Sequence, residues 1–260
     1  MNVTVCEFDG GAPDFADVGW RILCNHVVAS RSEIVVLPEM PFCKPFWRGA
    51  AFEQAAWDEA VGVHEEWLPR LAGLAGAAVI GSRPVTDGTG RFNEGFWWDA
   101  KGGYRRVRRK FFLPAEPAFW ESEWYQPGDA SFPAQEDGAF RWGLNLCSEL
   151  WAVETFRPYA HAGIHAIVTP RASMAATTDK WIALGLVAAA SAGAYSISSN
   201  RVDATGLCGG VGWVIDPEGC VLARTSAANP FITVSLDLDQ VERARTGYPC
   251  YLFPPGASSS

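Results

Sequence analysis

Short apolar runs alternate with longer amphipathic stretches along the 260 residues, and this alternation restricts the chain to folds that combine buried strands with helices. Apolar runs of four to eight residues are typical of buried strands, and apolar side chains at a spacing of three to four are typical of helices. The predicted strands are residues 3–8, 34–37, 77–80, 92–99, 104–108, 139–146, 165–169, 195–199, 210–215, 220–224 and 231–237. The predicted helices are residues 18–28, 54–74, 153–162 and 178–193.

This order predicts an α/β fold, a four-layer αββα sandwich of two mixed sheets flanked by helices. A Lys-Gly-Gly turn between residues 99 and 104 predicts a hairpin in the first half. No stretch rich in Pro, Gly or Ser divides the sequence. We therefore expect one domain over residues 1–255, followed by a flexible tail at residues 256–260.

Composition excludes several classes of protein. The chain is 48% hydrophobic and 19% charged, which is typical of a globular enzyme and not of a disordered chain. A net charge of −8 argues against a nucleic-acid partner. No apolar run reaches membrane-spanning length, and the segment MNVTVCEFDGG does not resemble a signal peptide, so we expect no membrane partner.

The cysteines and histidines predict neither a disulfide framework nor a metal site. Seven cysteines, an odd number, are spread without short regular spacings, as in reduced cytoplasmic proteins. The four histidines do not lie at zinc-like spacing from cysteines, and the sequence contains no CxxC or HExxH. We expect no metal and no other cofactor.

Three predicted strands end at a reactive side chain. Residues 34–37 lead to Glu39, residues 104–109 lead to Lys110, and residues 142–146 lead to Cys147. Strand ends in α/β folds are where catalytic groups gather. A carboxylate can take the proton of a thiol, the thiolate can attack a carbonyl carbon, and an ammonium group can stabilise the oxyanion that forms. The three residues together predict nucleophilic hydrolysis.

Each of the three residues also has a structural interpretation. A cysteine at a strand end is more often a small buried apolar residue. Glu39 could be a solvated loop acid, and Lys110 closes a basic run, Arg105-Arg106-Val107-Arg108-Arg109, of the kind found at solvated strand edges. The apolar residues 111–114 that follow weaken that last interpretation.

The sequence around these residues resembles the nitrilase, or carbon-nitrogen hydrolase, superfamily. The similar segments are LPEM (37–40), RRKFFLPAEPAFWESEWYQPGD (108–129) and LNLCSELW (144–151), and then VTPRAS (168–173), SSNRV (198–202) and GWVIDPEGCVLA (212–223). They follow one another in the family's order over nearly the whole chain.

The resemblance implies a nucleophile at Cys147, a general base at Glu39 and an oxyanion-stabilising cation at Lys110. It also implies a second oxyanion donor, the backbone N–H of Ser148, and assembly into a homodimer or higher homo-oligomer. The family has a further glutamate between the lysine and cysteine blocks. Among Glu116, Glu121 and Glu123, the register of the segment YQPGD places Glu121 at that position.

The substrate-binding residues are less constrained. Aromatic side chains crowd the long predicted loop at residues 110–136 and the segments near it, with Trp124 and Trp151 among them. They could pack the core or an oligomer interface, or they could line an apolar substrate pocket. Arg171, just after a predicted strand, could bind a substrate carboxylate or form a structural ion pair.

The predicted function is therefore hydrolysis of a small non-peptide C–N bond, in an amide or an N-carbamoyl compound, through a thioester acyl-enzyme. The alternative within the same family is a nitrilase. True nitrilases often have Trp-Glu directly after the cysteine, and Ser148 in that position favours the amide. The alternative from another class is a non-catalytic binding protein with the same fold, which retention of Glu39, Lys110, Glu121 and Cys147 argues against.

Overall fold

The computed structural model describes residues 1–12 and 14–254, and in these residues it has twelve strands and six α-helices. The strands are β1 (Asn2–Phe8), β2 (Ile34–Val36), β3 (Ala78–Asp87), β4 (Gly90–Asp99), β5 (Gly103–Arg109), β6 (Gln135–Asp137), β7 (Phe140–Leu144), β8 (Ala166–Arg171), β9 (Tyr195–Arg201), β10 (Trp213–Ile215), β11 (Val221–Arg224) and β12 (Phe231–Ser235). The helices are α1 (Trp20–Ser30), α2 (Gln54–Trp67), α3 (Glu121–Trp124), α4 (Phe156–His161), α5 (Thr178–Ala192) and α6 (Leu238–Thr246). Within these ranges every helix is too short or too polar to cross a bilayer.

The strands form two mixed sheets. In the first, β1, β2 and β3 are parallel neighbours, β4 and β5 extend them as antiparallel strands, and β12 pairs with β1. In the second, β7, β8 and β9 are parallel neighbours, and β6 and β10 are antiparallel to them. The sheets meet where Glu7 and Phe8 of β1 pair with Asn200 and Arg201 of β9.

Three apolar layers hold these sheets and helices together. The central layer lies between the sheets, with Val5 and Ile80 of the first sheet in the same buried cluster as Leu144 and Val168 of the second. A second layer packs the outer face of the first sheet against α1 and the segment after α2. A third packs the second sheet against α4 and α5. The predicted αββα sandwich is confirmed.

Gly95 sets how closely the two sheets approach near the predicted site. A Cβ atom at Gly95 in β4 would lie 2.3 Å from Cδ2 of Leu144 in β7, far inside van der Waals contact. Leu144 is fully buried, so its side chain has no free space into which it could move. The lack of a side chain at Gly95 therefore lets the β4–β5 hairpin lie directly against the strand that leads to Cys147.

Several element boundaries differ from the prediction. The predicted helix over 54–74 ends at Trp67 and continues as a 3-10 helix, Leu68–Gly73, because Pro69 cannot donate the next α-helical hydrogen bond. The predicted helix over 153–162 is a 3-10 turn, Val153–Thr155, followed by α4. The short edge strand β6 and the polar helix α6 were not predicted, since neither shows a strong apolar pattern.

The predicted tail at residues 256–260 lies outside the described residues. We retain, as a proposal, the organisation of residues 1–255 as one domain.

Candidate active site

Glu39 follows β2 at the edge where the parallel strands of the first sheet end. Its backbone N–H donates to the carbonyl of Arg171, 3.2 Å away, which links this loop to β8 of the second sheet. The next residue, Met40, has a positive φ of 40°, a conformation that costs free energy in a residue with a side chain. Glu39 is 2% exposed. The turn therefore directs this carboxylate into the protein.

Lys110 follows β5, and its fully buried ammonium group lies between two carboxylates. Nζ donates to Oε1 of Glu39 at 2.9 Å and to Oε1 of Glu121 at 2.8 Å. The backbone N–H of Lys110 donates to the carbonyl of Asn93 at 2.9 Å, which fixes the chain beside β4. A buried cation needs such partners, and here two carboxylates provide them.

Glu121 is the loop glutamate that the structure brings to the lysine. It begins α3 and is buried, whereas Glu116 and Glu123 are exposed. Of the three glutamates, Glu121 is the one hydrogen-bonded to Lys110 among the described residues, and its catalytic role stays a prediction.

Cys147 lies at a strained turn between β7 and a 3-10 helix, Cys147–Trp151. Its φ is 48°, which few non-glycine residues adopt and which is typical of residues held for function. The side chain is buried. Ser148 occupies the first turn of the 3-10 helix, where backbone N–H groups have no partner within the helix. This N–H is therefore available to an oxyanion.

The neighbouring charges of the site shift the pKa values of Lys110, Glu121 and Cys147. Burial raises the pKa of the Cys147 thiol well above its usual range, Glu39 raises it further, and Lys110 and the backbone of Ala172 oppose the rise. Burial favours the neutral amine at Lys110, but Glu121 and Glu39 outweigh burial and raise the pKa of that lysine. At neutral pH the lysine therefore stays charged, while the thiol keeps its proton until a base accepts it.

The pKa of Glu121 is raised to about 7, first by burial and also by the charge of Glu39, against the pull of Lys110. One of the two carboxylates beside the lysine can therefore gain a proton near neutral pH.

A cavity of about 340 Å³ is lined by Cys147 and Glu121. Its other lining residues are six apolar or aromatic ones, Pro114, Phe119, Trp151, Ala172, Met174 and Trp181, and five polar or charged ones, Glu116, Ser148, Ser173, Thr177 and Lys180. Ser148 and Trp151, which were predicted to bind the substrate, line this cavity, and their binding role stays a prediction. The hydroxyl of Ser148 donates to the carbonyl of Phe112 at 2.9 Å, which holds the 110–136 segment against the cysteine turn.

The structure does not bring Trp124 to this cavity. Trp124 is 2% exposed, donates through Nε1 to the carbonyl of Gly49 at 2.6 Å, and packs against Phe46 and Phe52. Its surroundings correspond to the packing interpretation.

Arg171 also lies outside the lining of the cavity. Its guanidinium donates to Oγ of Ser198 at 2.7 Å, to Oγ of Ser173 at 2.6 Å and to the carbonyl of Val211 at 2.7 Å, and it stacks on Trp213. Burial lowers its pKa to about 9. Among the described residues Arg171 has neutral partners and no acidic one, so it braces the loops behind the site.

Two residues of the site were missed from the sequence. The carboxylate of Glu149 accepts hydrogen bonds from the backbone N–H of Leu146 at 2.8 Å and of Phe111 at 2.6 Å. The side chain of Asn93 donates to Oε1 of Glu39 at 2.8 Å. The one sequence signal for Asn93 is a polar amide within a strand of aromatic residues, and Glu149 has none beyond its place two residues after Cys147.

The sequence of this chain is similar to those of known proteins. The family model described as carbon-nitrogen hydrolase matches residues 19–246. The omega-amidase NIT2 of Xenopus tropicalis is 25% identical over 237 residues, which are 87% of this chain and 84% of that protein.

Among solved structures, a carbon-nitrogen hydrolase of Helicobacter pylori G27 has a TM-score of 0.85 at 20% identity, with 98% of this chain and 95% of that chain covered. A glutamate-to-glutamine mutant of an amidase of Nesterenkonia sp. AN1, in which acrylamide has added to the active-site cysteine, has a TM-score of 0.75 at 18% identity, with 95% and 97% covered. The chain therefore belongs to the carbon-nitrogen hydrolase family of the nitrilase superfamily, and it is an enzyme of that family.

Proposed function

We propose that this enzyme hydrolyses a small primary amide or N-carbamoyl compound through a thioester on Cys147. The observation that carries the proposal is the ammonium group of Lys110, which is fully buried and hydrogen-bonded to both Glu39 and Glu121. Glu121 and Cys147 in turn line the cavity. Such a group is a positive charge fixed in a largely dry site, where it stabilises a developing oxyanion far more than it would in water.

In the acylation half-reaction, Glu39 takes the thiol proton while Sγ of Cys147 attacks the carbonyl carbon of the amide. The carbonyl oxygen becomes an oxyanion that Lys110 and the backbone N–H of Ser148 stabilise. When this intermediate collapses, the C–N bond breaks and the nitrogen takes the proton from Glu39, so that ammonia or an amine leaves. The acyl group stays on Cys147 as a thioester.

In the second half-reaction, Glu39 takes a proton from water, and the resulting hydroxide attacks the thioester. The tetrahedral intermediate uses the same oxyanion donors. Its collapse releases a carboxylic acid, and the thiolate of Cys147 takes back the proton from Glu39. Glu121, which lies on the other side of Lys110, accepts a hydrogen bond from the substrate NH₂ group and keeps the lysine in place.

Two observations favour an amide over a nitrile. Ser148 replaces the tryptophan that often follows the cysteine in nitrilases, and the relatives named above include amidases. The walls formed by Phe119, Trp151 and Trp181 fit an apolar acyl group of modest size.

The test is release of ammonia from an amide, an N-carbamoyl derivative and a nitrile that carry the same apolar group, with Cys147→Ala as the control. We expect kcat/KM for the amide or the carbamoyl compound to exceed that for the nitrile by at least about tenfold, the effect of a difference of about 1.4 kcal/mol in transition-state binding. A higher kcat/KM for the nitrile would replace the proposal with the nitrilase alternative.

We also propose that the enzyme works as a homo-oligomer. Val187 of α5 and Tyr251 and Phe253 near the C-terminus are large apolar side chains that are exposed on the monomer. Such side chains are typical of surfaces that become buried when subunits associate. Sedimentation at micromolar concentration tests this proposal, and a monomer under those conditions would contradict it.

A further inference from the structure

Asn93 of β4 is a fully buried polar residue that holds two residues of the site at once. Its side-chain Nδ2 donates to Oε1 of Glu39 at 2.8 Å, and its backbone carbonyl accepts from the N–H of Lys110 at 2.9 Å. It does not line the cavity. Asn93 therefore contacts the proposed base through its side chain and the proposed oxyanion cation through its main chain, without reaching the substrate.

Because of Asn93, the two oxygens of the Glu39 carboxylate differ. Oε1 accepts two hydrogen bonds, from Asn93 at 2.8 Å and from Lys110 at 2.9 Å. Within residues 1–12 and 14–254, no donor is hydrogen-bonded to Oε2. An oxygen with two strong donors is a weaker base than its partner, because those donors stabilise its negative charge. Oε2 is thus the more basic oxygen.

The orientation of the Asn93 amide follows from the same contact. A carboxylate only accepts hydrogen bonds, so Nδ2 and not Oδ1 must face Glu39. Oδ1 is then buried without a partner among the described residues, an arrangement that costs free energy. A residue kept for stability alone would avoid that cost, and an apolar side chain of the same size would suit this strand of aromatic residues.

We propose that Asn93 is a positioning residue of the hydrolysis: by holding Oε1 of Glu39 with Lys110, it leaves Oε2 as the oxygen that takes the proton of Cys147. The inference rests on the proposed function only in the roles of Glu39 and Cys147. The inference predicts that the side-chain amide of Asn93 controls the pH at which the Cys147 thiol reacts. It also predicts that removing this amide changes substrate binding little.

The variants Asn93→Leu and Asn93→Asp separate this role from a structural one. Leucine has nearly the same size and no donor, so Oε1 of Glu39 loses one of its two hydrogen bonds and the acidic limb of Cys147 reactivity moves to higher pH. The shift should be about one to two pH units, the size expected for one hydrogen bond to a charged group. Aspartate puts a second negative charge beside Glu39 and should move the limb further. In amide hydrolysis, kcat should fall by about 10-fold to 100-fold, as for a misplaced catalytic group, with KM within a few-fold.

The experiment measures alkylation of Cys147 by iodoacetamide against pH, followed by mass spectrometry of the Cys147 peptide. It compares the wild type with Asn93→Leu and Asn93→Asp, each also in a Glu39→Gln background. We expect the order wild type, Asn93→Leu, Asn93→Asp for the rising midpoint. Once Glu39 is glutamine, Asn93→Leu should cause no further change, and Asn93→Asp should cause a smaller shift than it does with Glu39 present. If Asn93→Leu does not fold, Asn93→Asp, which has the same shape, carries the test.

An unchanged midpoint in a folded variant would overturn the inference, and so would a shift from either variant that is as large in the Glu39→Gln background as with Glu39 present. Alkylation needs no amide turnover. A wild-type enzyme whose thiol shows the expected series but which hydrolyses no amide would therefore contradict the proposed function and not the role of Asn93.

Discussion

Arg108 and Glu149 form an ion pair that is almost completely buried, with their side chains 2% and 0% exposed. Arg108 lies two residues before Lys110, and Glu149 lies two residues after Cys147. The same carboxylate also accepts the backbone N–H groups of Phe111 and Leu146. One glutamate thus joins the segment that carries the lysine to the turn that carries the cysteine, and it supports the positive φ of Cys147.

Glu149→Gln should therefore lower the free energy of unfolding by about 3 kcal/mol or more, because it leaves the buried guanidinium of Arg108 without its counter-charge. The measurement is equilibrium unfolding in urea. Glu154→Gln, an exposed change in the same segment, is the control and should stay within about 0.5 kcal/mol of wild type. A loss below about 1 kcal/mol for Glu149→Gln would mean that the pair does not hold the two segments together.

Lys110→Arg should impair catalysis almost as much as Lys110→Ala. The ammonium group has carboxylate oxygens on two sides within 2.9 Å and no exposed surface, so a wider, planar guanidinium cannot occupy the same position. Loss of one oxyanion donor typically lowers kcat by about 10²–10³-fold, and we expect at least that for both variants in steady-state kinetics. An arginine variant with more than about a tenth of the wild-type kcat, well above that range, would show that positive charge alone suffices.

Glu121→Gln should lower kcat/KM by about 10²-fold or more, the scale of a positioned proton-transfer or orienting group. Glu123→Gln, which alters an exposed acid that does not line the cavity, is the control and should stay within a few-fold. Because the pKa of Glu121 is raised to about 7, this carboxyl group is neutral below that pH and ionised above it. The ionised form holds Lys110 and accepts the hydrogen bond of the substrate NH₂ group, so wild-type kcat/KM should rise as the pH passes through 7, and the Gln variant should lack that rise. A large loss of kcat/KM in Glu123→Gln with no loss in Glu121→Gln would contradict this prediction.

Gly95→Ala should destabilise the protein by about 1–3 kcal/mol, as overpacking of a filled core does, since its Cβ would lie 2.3 Å from Cδ2 of Leu144. Gly62→Ala in α2 is the matched control. A Cβ at Gly62 meets no atom within 4 Å, so alanine there should stabilise the helix by about 0.5–1 kcal/mol. Thermal unfolding distinguishes the two, and equal effects of both substitutions would contradict the close approach of the sheets at Gly95.

The sequence predicted those parts of the site that depend on strand ends. Glu39, Lys110 and Cys147 each follow a predicted strand, and strand ends in α/β folds are where catalytic groups gather, so their approach could be expected. The layered fold was predictable for the same reason, because its buried strands and helices are strongly periodic. Residues such as Asn93 and Glu149 could not be found in this way, since their roles depend on partners 54 and 38 residues distant in the chain. The same limit applies to Trp124 and Arg171. Their residue types suit a substrate pocket, but both side chains are buried and make their contacts within the protein interior.

We propose that Cys147 becomes acylated during turnover. Intact-protein mass spectrometry of the enzyme, quenched in acid during hydrolysis of an amide, measures this acylation. We predict a single added acyl group that maps to the Cys147 peptide and disappears when the substrate is consumed. Cys147→Ala should show neither the adduct nor turnover, while Cys43→Ala and Cys208→Ala should show both. An adduct on another residue, or amide hydrolysis by Cys147→Ala at the wild-type rate, would contradict the account.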